Sequence, residues 1–207
     1  MDLSLPLTTV SPTLDAGVLQ VLAATTAGCT AANVHQRLAK GSNEGVRKVL
    51  ARLVQQGVVI ADRTTRYPVY HLNREHVAVP HIEALSRVRD EILARIRTEV
   101  STWTIQPAHS SLFGSFARGD ATSVSDIDLL IVEPESPAPL GDAWLTQLDR
   151  LGERIRAWTG NAAQIVALDT TTLGEMARDA DPLVASWLSE SVHLQGEQLS
   201  GLLRRLR

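Results

Sequence analysis

Asp126 and Asp128 stand two residues apart at the start of an otherwise apolar run that ends at Val132. On a strand, that spacing puts both carboxylates on one face and Ile127, Leu129 and Ile131 on the other. Asp is a poor strand residue. Two like charges a few Å apart on a half-buried strand also repel each other and lose hydration. Two acids flanking the turn that opens a strand would be the plainer reading, but it leaves the neighbouring glycine turn unexplained. A divalent cation with oxygen ligands offsets both costs, and Mg²⁺ (or Mn²⁺) is the natural occupant.

Upstream of the two acids, Leu112 and Phe113 end a short strand and Gly114-Ser115 opens a brief helix. That turn directs backbone N–H groups where a phosphate can dock, and Gly114 carries no side chain to block the approach. A phosphate cradle beside two carboxylates predicts a nucleoside triphosphate held with Mg²⁺.

The elements that must position these residues follow from periodicity. Trp144, Leu148, Leu151 and Ile155 mark a helix ending near Gly160, Ala162 to Leu168 reads as a strand, and Leu173 to Leu188 reads as helical again. Val192 to Leu194 reads as a short extended piece before a basic C-terminal helix. The sum is an α/β sheet with flanking helices.

Ahead of this region the pattern is different. Leu14, Val18, Val21 and Leu22 recur at helical spacing; Thr30 is placed to cap a second helix, which carries Val34 and Leu38 and closes at Gly41. Ser42 is placed to cap a third, with Val46, Val49, Leu50, Leu53 and Val54 as its apolar stripe and Gly57 as its stop. Val58 to Ile60 and Val69 to Leu72 then read as two strands joined by a turn. Three helices followed by a hairpin is the order of a winged helix-turn-helix. From Thr30 to Arg74 eight basic residues face two acidic ones, a net +6 in a chain of net charge −3. A basic module attached to an acidic one is the result. The third helix presents Asn43, Arg47, Lys48 and Arg52 outward, as a recognition helix for duplex DNA would, and Arg63 and Arg66 fall on the wing. Charges of this kind also solvate ordinary helix faces.

From His81 to Val100 the apolar positions Ile82, Leu85, Val88, Ile92, Ile96 and Val100 predict a single connecting helix. The domains expected are therefore 1–78, a connector over 79–102, and 103–207. The only cysteine, Cys29, excludes an intramolecular disulfide and a thiolate zinc site, and reads as a small core residue. No apolar run approaches the roughly 18 residues of a membrane span. With no secretory pattern in Met1 to Thr13, a cytoplasmic location is expected.

The stretch from Phe113 to Leu129 resembles the signature of the DNA polymerase beta-like nucleotidyltransferase superfamily, in its minimal, kanamycin-nucleotidyltransferase-like branch. That signature is a hydrophobic residue, Gly-Ser, a spacer of about ten residues, then Asp, a hydrophobic residue, Asp and a hydrophobic residue. Phe113, Gly114, Ser115, Asp126, Ile127, Asp128 and Leu129 occupy those positions. The resemblance implies that Gly114 and Ser115 hold the triphosphate, that Asp126 and Asp128 bind metal and serve catalysis, and that Arg118 either contacts phosphate or forms a structural ion pair. Active members bring a third carboxylate from a later strand, and Gln164 occupies that position here. An amide cannot act as a general base and is a weaker metal ligand. Asp169, five residues on, falls on the opposite face by alternation.

Two functions stay open at this level. One is transfer of a nucleoside monophosphate to a hydroxyl on a protein, an RNA end or a small molecule. The other is a nucleotide-binding regulator without turnover. A homodimer is expected for a DNA-reading winged helix.

Overall fold

The computed structural model describes residues 1–38, 41–64 and 66–206. The chain divides into two compact units, one of Asp2 and Ser4–Arg89, the other of Met1, Leu3 and Asp90–Arg207. Among the described residues, no helix is long and apolar enough to cross a membrane.

In the first unit, α1 (Leu14–Ala23) buries Val18, Val21 and Leu22. A two-residue strand, β1 (Cys29–Thr30), leads into α2 (Ala31–Leu38), where the Thr30 hydroxyl accepts the Asn33 N–H at 3.2 Å. The two residues between Leu38 and Gly41, where the second helix was expected to end, lie outside the described residues. Ser42 caps α3 (Asn43–Gln55) by accepting the Gly45 N–H at 3.0 Å, and the helix stops before Gly57, whose φ of +77° suits a residue without Cβ. The strands β2 (Val59–Asp62) and β3 (Val69–Leu72) pair antiparallel, and β1 adds to β3, giving the order β1-β3-β2. Two residues are too few to show alternation, which is why periodicity did not reveal β1. The core gathers Val18, Leu22, Val34, Val46, Leu50 and Leu72, with Cys29 buried among them.

The connector is not one helix. It breaks at Arg87 into α4 (Val79–Ser86) and α5 (Val88–Ser101). The carbonyl of Glu83, which an unbroken helix would offer to the Arg87 N–H, instead accepts the Ser86 hydroxyl at 2.8 Å and the Arg87 side chain at 3.3 Å. The Arg87 N–H turns to Ala84 at 3.2 Å, the tighter three-residue step. Val79 of α4 is buried with the first unit's core, whereas α5 buries Ile92, Leu93, Ile96 and Val100. Thus α4 belongs to the first unit, and α5 from Asp90 onward to the second.

The second unit is built on β4 (His109–Phe113), β5 (Ile127–Val132), β6 (Ala163–Leu168) and β7 (Val192–Gly196), in the order β6-β5-β4-β7. Here β5 and β6 run parallel and the other pairs antiparallel, so the sheet is mixed. A five-residue helix, α6 (Gly114–Arg118), follows β4 directly. The long α7 (Gly141–Thr159) buries Trp144, Leu148, Leu151 and Ile155 and leads back into β6. The other face of the sheet carries Leu130 and Val132, which pack against Leu173, Val184, Trp187, Leu199 and Leu202. Those residues come from α8 (Thr170–Arg178), α9 (Pro182–Glu190) and α10 (Leu199–Arg205).

The stretch expected to be helical from Leu173 to Leu188 is divided between two helices, α8 and α9. Ala180 takes a φ of +55°, Asp181 accepts the Leu183 N–H at 2.8 Å, and Pro182 opens the new helix. Proline lacks the N–H a continuing helix requires, and Asp before it is a cap.

Candidate functional site

The site begins where β4 ends. Phe113 pairs with Asp128 across the antiparallel β4–β5 ladder, and Gly114 then turns the chain with a φ of +68°. A Cβ on Gly114 would lie 2.2 Å from Oδ2 of Asp128. The glycine is therefore required twice, by its left-handed backbone and by the carboxylate packed against it. The short α6 closes at Gly119, also left-handed, with the Ser115 carbonyl accepting the N–H groups of Gly119 and Asp120 at 3.0 Å each. Ser115 itself is half-buried at the head of this turn.

Asp128 lies on β5 and is half-buried, whereas Asp126 precedes the strand and is exposed. Ile127, Leu129 and Ile131 are fully buried on the opposite face. Burial, and then the charge of Asp126, push the Asp128 carboxyl above its ordinary range, and the Arg118 guanidinium opposes them in part. A half-buried carboxylate beside a second acid and a bare glycine backbone is a place where a hard cation would relieve strain in the charge distribution.

The chain entering Asp126 is held by a residue that sequence reasoning passed over. Buried Asn161 donates from Nδ2 to the carbonyls of Thr122 at 3.2 Å and Ser125 at 2.9 Å. In sequence it looks like an ordinary residue after the helix-ending Gly160, because its partners lie nearly forty positions away.

Gln164 is the register partner of Asp128 on the parallel neighbour β6, so the two side chains share a face of the sheet. Asp169 is occupied elsewhere: it caps α8, its carboxylate accepting the Thr172 N–H at 2.6 Å, which holds its pKa below the usual range. Among the described residues, no group of three or more His, Cys, Asp or Glu gathers as a metal site. The chain thus brings two carboxylates and one amide to this face.

Arg118 forms an ion pair. Its guanidinium donates to Glu190 at 2.8 Å and lies 3.5 Å from Asp120. Glu190, on α9, also accepts the Ser186 hydroxyl at 2.6 Å; this bond and then Arg118 lower its pKa. The structural alternative for Arg118 is thus present, and phosphate contact is the other reading of the same residue.

In the first unit, Asn43, Arg47 and Lys48 are exposed on α3, opposite buried Val46, Leu50 and Leu53. Lys48 lies 4.0 Å from Glu44, a distant pairing. Arg52 is already engaged, with the Asp15 carboxylate and with Gln56 Oε1 at 2.9 Å, so it is the least available of the four. Arg63 and Arg66 are exposed between β2 and β3, with the Arg66 guanidinium 5.4 Å from the Tyr67 ring centre.

Residues 92–160 match the family model of the nucleotidyltransferase domain. The match takes in Gly114, Ser115, Asp126 and Asp128 and stops short of Gln164. No curated protein matches the chain in sequence. Among solved structures, it is similar to a toxin-antitoxin crystallised with AMP-PNP, at 16% identity and a TM-score of 0.37, over 55% of this chain and 82% of that one. It is similar also to a mutant of the toxin-antitoxin MntA-HpeT, at 13% identity and a TM-score of 0.36, with the same coverage of 55% and 82%. A third likeness is to a candidate nucleotidyltransferase from Sulfolobus solfataricus, at 19% identity and a TM-score of 0.29, over 53% of this chain and 87% of that one.

Proposed function

We propose that the second unit binds a nucleoside triphosphate with a divalent cation and transfers its nucleoside monophosphate to a hydroxyl. The observation that carries this reading is the Asp126–Asp128 pair set against the Gly114-Ser115 turn. Both carboxylates are hard oxygen donors, and burial and the neighbouring Asp126 charge raise the Asp128 pKa, so Mg²⁺ or Mn²⁺ fits the pair. When bound, such a cation would neutralise charge on the phosphates. The family motif implies that Gly114 and Ser115 hold the phosphates at this turn.

In the transfer, the acceptor oxygen forms a bond to the α-phosphorus as the bond to pyrophosphate breaks, and the hydroxyl proton passes to solvent water. Gln164, beside Asp128, can orient an acceptor through its amide but cannot take that proton. A slow transferase follows, with a protein, an RNA end or a small molecule as acceptor. The same residue favours a second reading, a regulator that binds nucleotide without turnover. Incubation with labelled triphosphates and Mg²⁺ separates them: pyrophosphate release or label transfer supports the enzyme, and tight binding with neither supports the regulator.

The first unit is proposed to be a winged helix-turn-helix that binds duplex DNA. Supporting this are the order α1-β1-α2-α3-β2-β3, exposed Asn43, Arg47 and Lys48 on α3, and Arg63 and Arg66 at the hairpin tip. Paired half-sites would call for a homodimer, and a cytoplasmic protein is the setting in which both units have their ligands. A gel-shift titration with duplex DNA tests this half of the proposal.

A further inference from the structure

The two edges of the four-stranded sheet are finished differently. At the β7 edge, the Arg97 guanidinium donates to the His193 carbonyl at 2.9 Å, and the β4–β7 pairing is irregular between Ser110 and Ser111. Both features blunt an edge against further pairing. Among the described residues, the β6 edge has no such device. Its sequence, Ala163 to Leu168, holds no charge and no proline, and among the described residues its only strand partner is β5.

Which backbone groups face outward follows from the ladder. The carbonyls of Ala162 and Leu168 accept from Ile127 and Glu133 on the β5 side. Alternation then turns the N–H and C=O groups of Ala163, Ile165 and Ala167 to the free edge. The side chains of these three residues form the floor of an open groove of about 570 Å³ between β6 and α7.

The α7 wall of the groove carries Asp149, Gly152, Glu153 and Arg156 at helical spacing. Gly152 sits in mid-helix, where glycine is a poor helix former, and a Cβ there would meet nothing within 4 Å. Packing within the chain does not require it. Among the described residues, Asp149, Glu153 and Arg156 make no ion pair within the chain.

We propose that this edge is the seam of a two-fold homodimer in which β6 pairs antiparallel with β6 of a second copy. A two-fold axis at Ile165 sets Ala163 of one copy opposite Ala167 of the other, so the three outward-facing residues exchange about six hydrogen bonds, two for each opposed pair. The strand and α7 run in opposite directions, and the midpoint between Asp149 and Arg156 falls at Gly152 and Glu153. The same axis therefore sets Arg156 of each copy opposite Asp149 of the other, and Gly152 leaves room where the two helices come nearest. Self-complementary backbone and self-complementary charge share one axis, which is what an isologous contact requires. This seam lies wholly in the second unit and does not depend on the DNA-binding reading of the first.

Sedimentation of the full chain between roughly 1 and 100 µM tests the proposal, a range that spans ordinary homodimer affinities. The wild type is expected to show a concentration-dependent dimer, and Ala167→Lys and Arg156→Glu should each weaken it about tenfold or more. Combining Asp149→Arg with Arg156→Glu should restore association, an outcome a folding defect cannot produce. In the wild type, hydrogen exchange at the Ala163, Ile165 and Ala167 amides should slow as concentration rises. A monomer across the whole range, or a dimer indifferent to both single substitutions with unprotected β6 amides, overturns the proposal.

Discussion

Oδ2 of Asp128 lies 2.2 Å from where a Cβ on Gly114 would be, so the glycine of the turn and the acid of the strand occupy one another's space. A side chain at position 114 would displace this carboxylate before it met any phosphate. Gly114→Ala is expected to destabilise the protein by about 1–3 kcal/mol through its left-handed backbone alone, and to abolish Mg²⁺-dependent nucleotide affinity by shifting Asp128. Gly119→Ala is the control, since a Cβ there meets nothing within 4 Å although φ is +85°. It should cost stability and leave nucleotide affinity intact. Thermal unfolding and calorimetry on both variants make the comparison.

Asp126→Asn combined with Asp128→Asn should remove Mg²⁺-enhanced triphosphate binding while the fold persists. Burial and the Asp126 charge favour the uncharged form of Asp128. Asp128→Asn alone should therefore raise the melting temperature of the metal-free protein at neutral pH. Mg²⁺ should stabilise the wild type and not this variant, as scanning calorimetry with and without the ion will show. Equal responses to Mg²⁺ would take the metal away from these residues.

Gln164 shares the Asp128 face, so a carboxylate introduced there would reach the same side of the sheet. General-base assistance is worth about 10²- to 10⁴-fold, and Gln164→Asp should raise turnover by up to that factor. Gln164→Ala should leave nucleotide affinity nearly unchanged. A measurable wild-type rate that falls in Gln164→Asp would mean that another residue fills the third position.

Asp169 caps α8, and its function there is structural. Asp169→Ala should cost about 1 kcal/mol, as lost N-caps do, with no effect on nucleotide binding. Because the Thr172 N–H holds its folded pKa below the usual range, the charged cap adds stability above the ordinary Asp range, which is lost as pH falls through the lowered value. Asp169→Asn keeps a capping oxygen and should flatten that acid-side decline relative to wild type. Melting curves from pH 7 down to about 3 cover this window.

On duplex DNA, Arg47→Ala and Lys48→Ala should each weaken binding across sequences and reduce the slope of log affinity against log salt by about 1. Arg52→Ala should act mainly through stability, because this side chain is engaged by Asp15 and Gln56. Salt titrations by fluorescence anisotropy distinguish the two effects. An unaltered salt slope in the first two variants would sink the DNA-facing reading of α3.

Features made by neighbours in sequence were legible from the residue string. Ser42 caps α3 because its partner is three residues away, Gly57 stops that helix through its own backbone, and Ile127, Leu129 and Ile131 face away from Asp128 because alternation is a local property of a strand. The Asp181-Pro182 break went unread because the apolar period runs through it, although a cap followed by a residue without an N–H is a local signal. The contacts that complete the site are of another kind. Arg118 meets Glu190 from 72 positions away, and Asn161 reaches the carbonyls of Thr122 and Ser125 across 39 and 36. Gln164 stands beside Asp128 only through the register of two parallel strands, and that register is set by the packing of the helices that join and cover them. The residue string holds the local dihedral preferences and caps, but which distant side chains meet depends on how the apolar faces of separate elements pack, and that is decided only when the whole sheet has formed.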